Sequence, residues 1–231
     1  MAGQEMGIIG VMKKSMDDGR NVNMKRIPRH IGIIPDGNRR WALENGMSKE
    51  EGYGHGIEPG MELYHMCRDL GVQEVTFYGF TVDNTKRPSI QRAAFSDACV
   101  KAVEFLSQED AQLLVLGNTN SAMFPKELLP YTARHCFGKG GIKINFLVNY
   151  SFEWDLGFHK GSIGPVMASA DVSRVDLVIR WGGRRRLSGF LPVQSVYADI
   201  YVVDDYWPDF SPRHVHEAIA WYGKQDVTLG G

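Results

Sequence analysis

The sequence predicts an α/β fold, with a mostly parallel sheet covered by helices on both faces. Three observations predict it. Six apolar, strand-like runs recur at Ile31–Ile34, Val75–Phe80, Leu113–Leu116, Ile142–Val148, Leu177–Ile179 and Ile200–Val203. Stretches with helical spacing separate most of them, at Glu58–Leu70, Ser89–Leu106, Pro125–Cys136 and Pro212–Tyr222. Such alternation favours crossover connections and hence parallel pairing. Finally, two of the runs deliver a charged residue to their carboxyl end, where parallel α/β proteins place their sites.

Composition narrows the class. The 231 residues are 43% hydrophobic and 11% aromatic, enough for a sizeable single core. Residues 1–24 read as an N-terminal extension without order, and 25–231 as one domain. Formal net charge is −1, so no global basic field argues for nucleic acid. Cys67, Cys99 and Cys136 are far apart and read as reduced, mostly buried thiols of a cytoplasmic protein. No apolar stretch approaches the roughly 20 residues of a membrane span. Asp155–Val175 is weakly periodic and reads as a short helix with a mobile loop.

The first strand runs into His30-Ile31-Gly32-Ile33-Ile34-Pro35-Asp36-Gly37-Asn38-Arg39-Arg40-Trp41-Ala42. Asp36 suits a divalent metal. The backbone N–H groups of Gly37 to Arg39, with the Arg39 and Arg40 side chains, suit a phosphate. A metal ligand beside an anion cradle points to phosphate or diphosphate chemistry.

A second run, Val175 to Phe190, repeats the pattern. Arg180 ends a buried strand, Gly182-Gly183 permits a tight turn, and Arg186 and Ser188 follow. Together Arg180, Arg186 and Ser188 suit a second diphosphate. In a third run, Tyr197–Phe210, Asp199 stands beside an apolar strand and is a candidate to share a metal with Asp36, since Mg²⁺ takes one or two carboxylates plus phosphate oxygens and water. Asp204, Asp205 and Asp209 are read as a turn, because Pro208 breaks helical spacing. In a fourth run, Tyr78–Pro88, Asn84 and Arg87 face the same crevice as Asp36. His55 suits a hydrogen bond to phosphate. His214 and His216 diverge on a helix and receive no role. The chain has no GxxxxGK[ST], no GxGxxG after a strand and no GxSxG, which removes the main support for nucleotide-binding and hydrolase readings.

These four ordered runs resemble the signatures of the cis-prenyltransferase family, typified by undecaprenyl diphosphate synthase, from about His30 to Tyr222. The resemblance implies about six strands, flanking helices and a hydrophobic tunnel for the growing chain. It implies a homodimer that uses Mg²⁺ to join an allylic prenyl diphosphate to a second isoprenoid, releasing diphosphate. It implies that Asp36 handles the metal and that Asn84 assists proton removal. Gly37, Asn38, Arg39, Arg40, Trp41 and His55 would line the first diphosphate site, with Thr81, Asp83 and Arg87 reaching it. Arg180, Arg186, Leu187 and Ser188 would hold the second diphosphate, and Asp199 stands where a metal-binding Glu is usual. A hydrophobic product would give at most peripheral membrane contact.

Departures from the family pattern cluster around these sites. Arg39 replaces a Gly, Glu51 stands for a phosphate-binding Arg, Trp181 for a Thr, Arg184 for a Glu and Thr85 for a Trp. Asn149–Glu153 and Thr228-Leu229-Gly230 also differ, and Asp155–Val175 is shorter. Two readings follow. One is an active prenyltransferase whose acceptor is isopentenyl diphosphate or an unusual prenyl unit. The other is a non-catalytic subunit that stabilises an active partner. The retained Asp36, Arg180, Arg186 and Ser188 favour the first.

Overall fold

A computed structural model describes residues 26–157 and 166–226. The N-terminal extension, part of the 155–175 segment and Thr228–Gly230 therefore lie outside the described residues. The chain forms, in order, β1 (His30–Ile34), α1 (Asn38–Glu44), α2 (Ile57–Asp69), β2 (Glu74–Tyr78), α3 (Ser89–Leu106), β3 (Ala111–Leu116), β4 (His135–Cys136), β5 (Ile142–Leu147), α4 (Phe152–Leu156), β6 (Leu177–Arg180), β7 (Asp199–Val202) and α5 (Pro212–Tyr222). All six predicted strands are present. A seventh, β4, is a two-residue antiparallel addition to the β3 edge.

The sheet order is β4-β3-β5-β2-β1-β6-β7, and every pairing except β3–β4 is parallel. One predicted helix is absent. Pro125–Cys136 forms a 3₁₀ turn at Lys126–Tyr131 followed by β4. Pro130 removes a backbone donor within that turn, so an α-helix cannot propagate through it.

Strand alternation divides the core. Ile31, Ile33, Val75, Phe77, Ile144 and Ile179 point to one face, where they pack against α2, α3 and α5. Ile34, Tyr78, Leu147 and Val178 point to the other. That face is covered mainly by irregular segments carrying Tyr150, Val172, Val175, Phe190 and Leu191, rather than by long helices. Gly32 shows how close this cover lies: a Cβ there would stand 2.5 Å from the Phe190 ring. Among the described residues, no helix is long and apolar enough to cross a membrane.

The same second face buries a polar network at the amino end of the strands. His30 Nε2 lies 2.8 Å from Thr76 Oγ1, and His30 Nδ1 lies 3.0 Å from the Ser173 carbonyl. Asn145 Nδ2 donates to Glu74 and to Thr76, and its Oδ1 accepts from Arg134. These partners satisfy groups whose burial would otherwise be costly.

Burial holds the His30 imidazole below the usual histidine value, although Glu74, Ser173 and Asp176 oppose that shift. The unfolded chain therefore binds the extra proton first as pH falls through about 6.5. His30 favours the folded state fully above that pH, and this contribution is lost below it. The melting temperature should fall between about pH 7.5 and 5.5, and less steeply in His30→Asn. Equal slopes in a calorimetric comparison would remove His30 from the pH response.

Candidate active site

Adjacent strands β1 and β6 end level with each other, since Ile34 pairs with Arg180. Their following connections lead to opposite sides, to β2 and to β7. Such a reversal opens a crevice at the carboxyl edge. Asp36 leaves β1 there, and Gly37 turns the chain with φ +111° into α1. A Cβ on Gly37 would meet the Tyr206 ring at 2.6 Å, so glycine is required by both dihedral and space.

Asp36 and Arg180 form the centre. Asp36 Oδ2 accepts from Arg180 Nη2 at 2.8 Å, and Asp36 Oδ1 lies 3.5 Å from Arg40 Nη2. Arg180 is only 4% exposed, whereas Asp36 is 34% exposed. Arg180 Nη1 also donates to Ser188 Oγ at 2.9 Å and to the Arg186 carbonyl. Its buried Nε has no partner among the described residues.

The glycine turn after β6 completes the frame. Gly182 N donates to Asp205 O, Gly183 N to Val203 O, and Arg40 Nη2 to Gly182 O. With φ +80° at Gly182, a Cβ would stand 2.5 Å from Arg40 Nη2. Trp207 N in turn donates to Asp36 O. Backbone bonds thus fix both strand exits relative to one another.

Around this centre opens a polar cavity of about 630 Å³. Arg180, Arg184, Arg186 and Ser188 line one side. Arg39, Lys49, Tyr53, Thr81, Asn84 and Arg87 line another, and Arg40 and Asp83 also reach the cavity. Seven cationic side chains therefore face two carboxylates, Asp36 and Asp83. That excess of positive charge suits a ligand carrying several negative charges.

The second side has its own supports. Arg87 Nη1 donates to Tyr53 OH at 2.8 Å, and Arg39 Nη1 reaches Gln91 Oε1 at 3.4 Å. Burial lowers the Arg87 pKa and raises that of Tyr53. Asn84 Oδ1 accepts from Thr81 N at 2.9 Å and caps the 3₁₀ turn Val82–Lys86. With its oxygen engaged, the Asn84 NH₂ group is the part left to meet a ligand.

Pro35, Asn38, Tyr53, Tyr78, Gly79 and Phe95 line both this cavity and an apolar crevice of about 60 Å³. The crevice runs between α2, α3 and the sheet, past Met61, Phe77, Ala98, Cys99, Leu106 and Phe146. A charged basin is thus continuous with an apolar slot.

Several expected residues lie elsewhere. Trp41 Nε1 donates to Asp209 Oδ1 at 2.7 Å, and its ring packs on His55 at 4.8 Å, so neither lines the cavity. Leu187 packs against the second-face core instead. Asp199 pairs in register with Leu177, three residues before Arg180, which places it about 10 Å toward the opposite sheet edge. It lies 3.5 Å from Arg26 and apart from Asp36 within this chain. No group of three or more His, Cys, Asp or Glu side chains is arranged for a metal among the described residues. Glu51 accepts from Ser48 N and Oγ, which lowers its pKa, and does not line the cavity.

Lys49, Tyr53 and Gln91 escaped the sequence reading. A single polar residue beside a helix carries no periodic signal, and only the fold brings these to Arg39 and Arg87. His214, given no role, is buried. Its Nε2 lies 2.9 Å from Asp205 Oδ2, and its Nδ1 accepts from Trp181 Nε1 and Ser211 N. Trp181 is wholly buried and packs on Trp207, the residue whose N–H holds Asp36 O.

Comparison with known proteins resolves the family. A prenyltransferase family model, described as undecaprenyl diphosphate synthase, matches residues 34–230. The chain belongs to the cis-prenyltransferase family. It is 31% identical to an isoprenyl transferase of Heliobacterium mobile, over 96% of each chain. It is 27% identical to the (2E,6E)-farnesyl-diphosphate-specific ditrans,polycis-undecaprenyl-diphosphate synthase of Aliivibrio fischeri, over 88% of this chain and 89% of that one. The crystal structure of lavandulyl diphosphate synthase from Lavandula x intermedia, in complex with dimethylallyl diphosphate, shares the fold. Its TM-score is 0.71 at 20% identity, covering 89% of this chain and 99% of that one. As a cis-prenyltransferase, the chain has the transferase fold and class that its four runs resemble.

Trp181 gives the departure from the family pattern a structural cause, and a test. Trp181→Thr would empty a large buried volume beneath Asp36 and cost about 3–5 kcal/mol. Trp181→Phe keeps most of the packing and loses the N–H donor to His214, costing about 1 kcal/mol. Urea denaturation measures both. A Trp181→Thr cost below about 1 kcal/mol would show that the cluster does not support the site.

Proposed function

We propose that this chain is an active prenyltransferase, which ionises an allylic prenyl diphosphate and joins it to a second isoprenoid. The observation that carries this reading is the Asp36–Arg180 pair between two cationic walls, in a basin continuous with an apolar slot. Arg39 and Arg87 would hold the allylic diphosphate, with Lys49 nearby. Arg180, Arg186 and Ser188 would hold the second diphosphate, with Arg184 nearby. The two prenyl groups then meet at the mouth of the slot.

In the reaction the allylic C1–O bond breaks and diphosphate leaves with the electron pair. The double bond of the acceptor supplies the electrons of the new C–C bond, and the acceptor then loses a proton. Diphosphate and that proton are the co-products. Arg39 and Arg87 stabilise negative charge as it builds on the leaving group, where fixed donors are most effective. The apolar slot keeps water from the cation. A neutral carboxamide is too weak a base to take the proton, so the Asn84 NH₂ would orient a phosphate oxygen while that oxygen takes it.

The residues present fit Mg²⁺ delivered with substrate. Mg²⁺ is commonly held by one or two carboxylates with phosphate oxygens and water, and Asp36 is a partly exposed carboxylate inside the basin. Asp36 would hold it, and when bound it would neutralise charge on the diphosphate.

Exposed Phe152, Leu156, Val193, Val196 and Tyr197 are apolar surface that would suit a homodimer contact. The alternative, a non-catalytic partner subunit, is favoured by no comparable observation, because the charged groups expected at two diphosphate sites are present.

Diphosphate release from allylic substrates, followed with a coupled pyrophosphatase assay, tests the reading. Wild-type protein with Mg²⁺ should release diphosphate, and chelation should stop it. Asp36→Ala should lower kcat/KM by about 100- to 1,000-fold while leaving the circular dichroism spectrum unchanged. No release by wild-type protein from any allylic diphosphate would reject the enzyme reading.

A further inference from the structure

The sheet has a second opening, at the end where its strands begin. Register places Gln112, Lys143, Glu74, His30 and Asp176 side by side, from β3 through β5, β2 and β1 to the residue before β6. Side chains alternate along a strand, so all five share the face of Ile34, Tyr78, Leu147 and Val178. A parallel strand buried on both faces is ordinarily apolar throughout. Here a whole row is polar, and Asn145 and Thr76 extend it two residues inward. Gln112, Lys143, Glu74 and Asp176 line a cavity of about 750 Å³, together with Arg29, Arg68 and Arg174. That size suits a small ligand. The cavity shares no lining residue with the Asp36 basin, and the length of β1, about 13 Å, lies between them.

Glu74 is the buried carboxylate of this lining, 3% exposed. Its Oε1 accepts from Asn145 Nδ2 at 2.7 Å and from Ser173 N at 3.4 Å. Its Oε2 has no hydrogen-bond partner among the described residues and is not sealed from solvent, so it opens into the cavity. His30 does not fill that place, since its ring nitrogens lie on Thr76 and Ser173. Asp155, also 3% exposed, shows a satisfied buried carboxylate: Oδ1 accepts from Ser169 N, and Oδ2 from Tyr150 OH and Ser169 Oγ. A buried acceptor costs free energy until a donor reaches it.

The cations around Glu74 are also unengaged. The side chains of Arg29 and Lys143 make no hydrogen bond or ion pair among the described residues, although Lys143 neighbours Glu74 in the sheet. Among those residues the Arg174 guanidinium meets only the Tyr197 ring, 4.8 Å away. Arg68 differs, being paired with Asp69 and Glu109. Asp176 Oδ2 is held by the backbone N–H groups of Arg29 and His30. Three free cations around one open acceptor define both ends of a ligand: several negative charges at the rim, and an O–H or N–H donor at Glu74.

We propose that this cavity binds a phosphorylated small molecule, with its phosphate on Arg29, Lys143 and Arg174 and a hydrogen-bond donor at its far end on Glu74 Oε2. A sugar phosphate and a nucleoside monophosphate both carry this chemistry. The site does not depend on the chain being a prenyltransferase, because it uses none of the groups around Asp36.

Calorimetric titration of the full chain with glucose 6-phosphate, AMP and inorganic phosphate tests it. At least one of the two organic probes should bind at least about tenfold more tightly than inorganic phosphate, which lacks the far donor. The tighter of the two shows whether sugar or base meets Glu74. Glu74→Gln keeps an oxygen for Asn145 and Ser173 and turns the open acceptor into a donor. It should remove that tenfold advantage and leave inorganic phosphate unchanged. Arg29→Gln with Lys143→Gln, at the rim, should weaken the organic probe and inorganic phosphate alike by at least about tenfold. These rim changes test the site even where Glu74→Gln does not fold, which melting curves report. Arg87→Gln, in the other basin, should change nothing. No binding of either organic probe overturns the proposal. So does affinity that Glu74→Gln leaves intact, which would mark the rim as a general anion surface, or affinity lost in Arg87→Gln, which would place the probe in the Asp36 basin.

Discussion

The Asp36–Arg180 ion pair is the constraint on which the site depends. It joins the exits of two neighbouring parallel strands at 2.8 Å, with the arginine almost fully buried. A buried charge is tolerable only when paired and hydrogen-bonded. Arg180 meets that condition through Asp36, Ser188 and the Arg186 carbonyl. The consequence is geometric. The pair ties the β1 exit to the loop after β6, from which Arg184 and Arg186 also reach the cavity. The glycine turn, the Arg40 bond to Gly182 and the Trp207 bond to Asp36 enforce the same relation through the backbone.

Charge and apolarity are divided along one line. On the outer side of Pro35, Asn38 and Tyr53 the surroundings are cationic, and on the inner side they are almost wholly hydrocarbon. A ligand with a highly charged head and an apolar tail would suit both halves. The buried aromatic cluster of Trp181, Trp207, Phe210 and His214 lies beneath this boundary. It forms the base of the Asp36 corner, and Trp207 also lines the apolar slot.

Much of this was legible in the sequence. The strands were, because buried parallel strands are short continuous apolar runs, and α3 and α5 were, because their spacing and boundaries are regular. Asp36, Arg39, Arg87, Arg180 and Ser188 were legible because each follows such a run or opens a helix. The residues that lie apart from the cavity do so for physical reasons. Asp199 lies near Arg180 in a list of motif residues, yet it starts its strand whereas Arg180 ends one, and a parallel register separates the two ends. Trp41 packs on His55 and donates to Asp209, away from the cavity. Glu51 serves its local turn at Ser48. Lys49 and Gln91 are isolated in sequence and gain meaning only from long-range packing.

The proposed reaction requires one basin to hold two diphosphates beside the Asp36–Arg180 pair. A crystal structure of the full chain with Mg²⁺, isopentenyl diphosphate and an inert dimethylallyl thiolodiphosphate tests it most directly. Two diphosphate groups should appear in the basin, one on Arg39 and Arg87 and one on Arg180, Arg186 and Ser188, with the allylic tail in the slot beside Phe95. A single diphosphate bridging both walls, or a tail lying outside the slot, would contradict it.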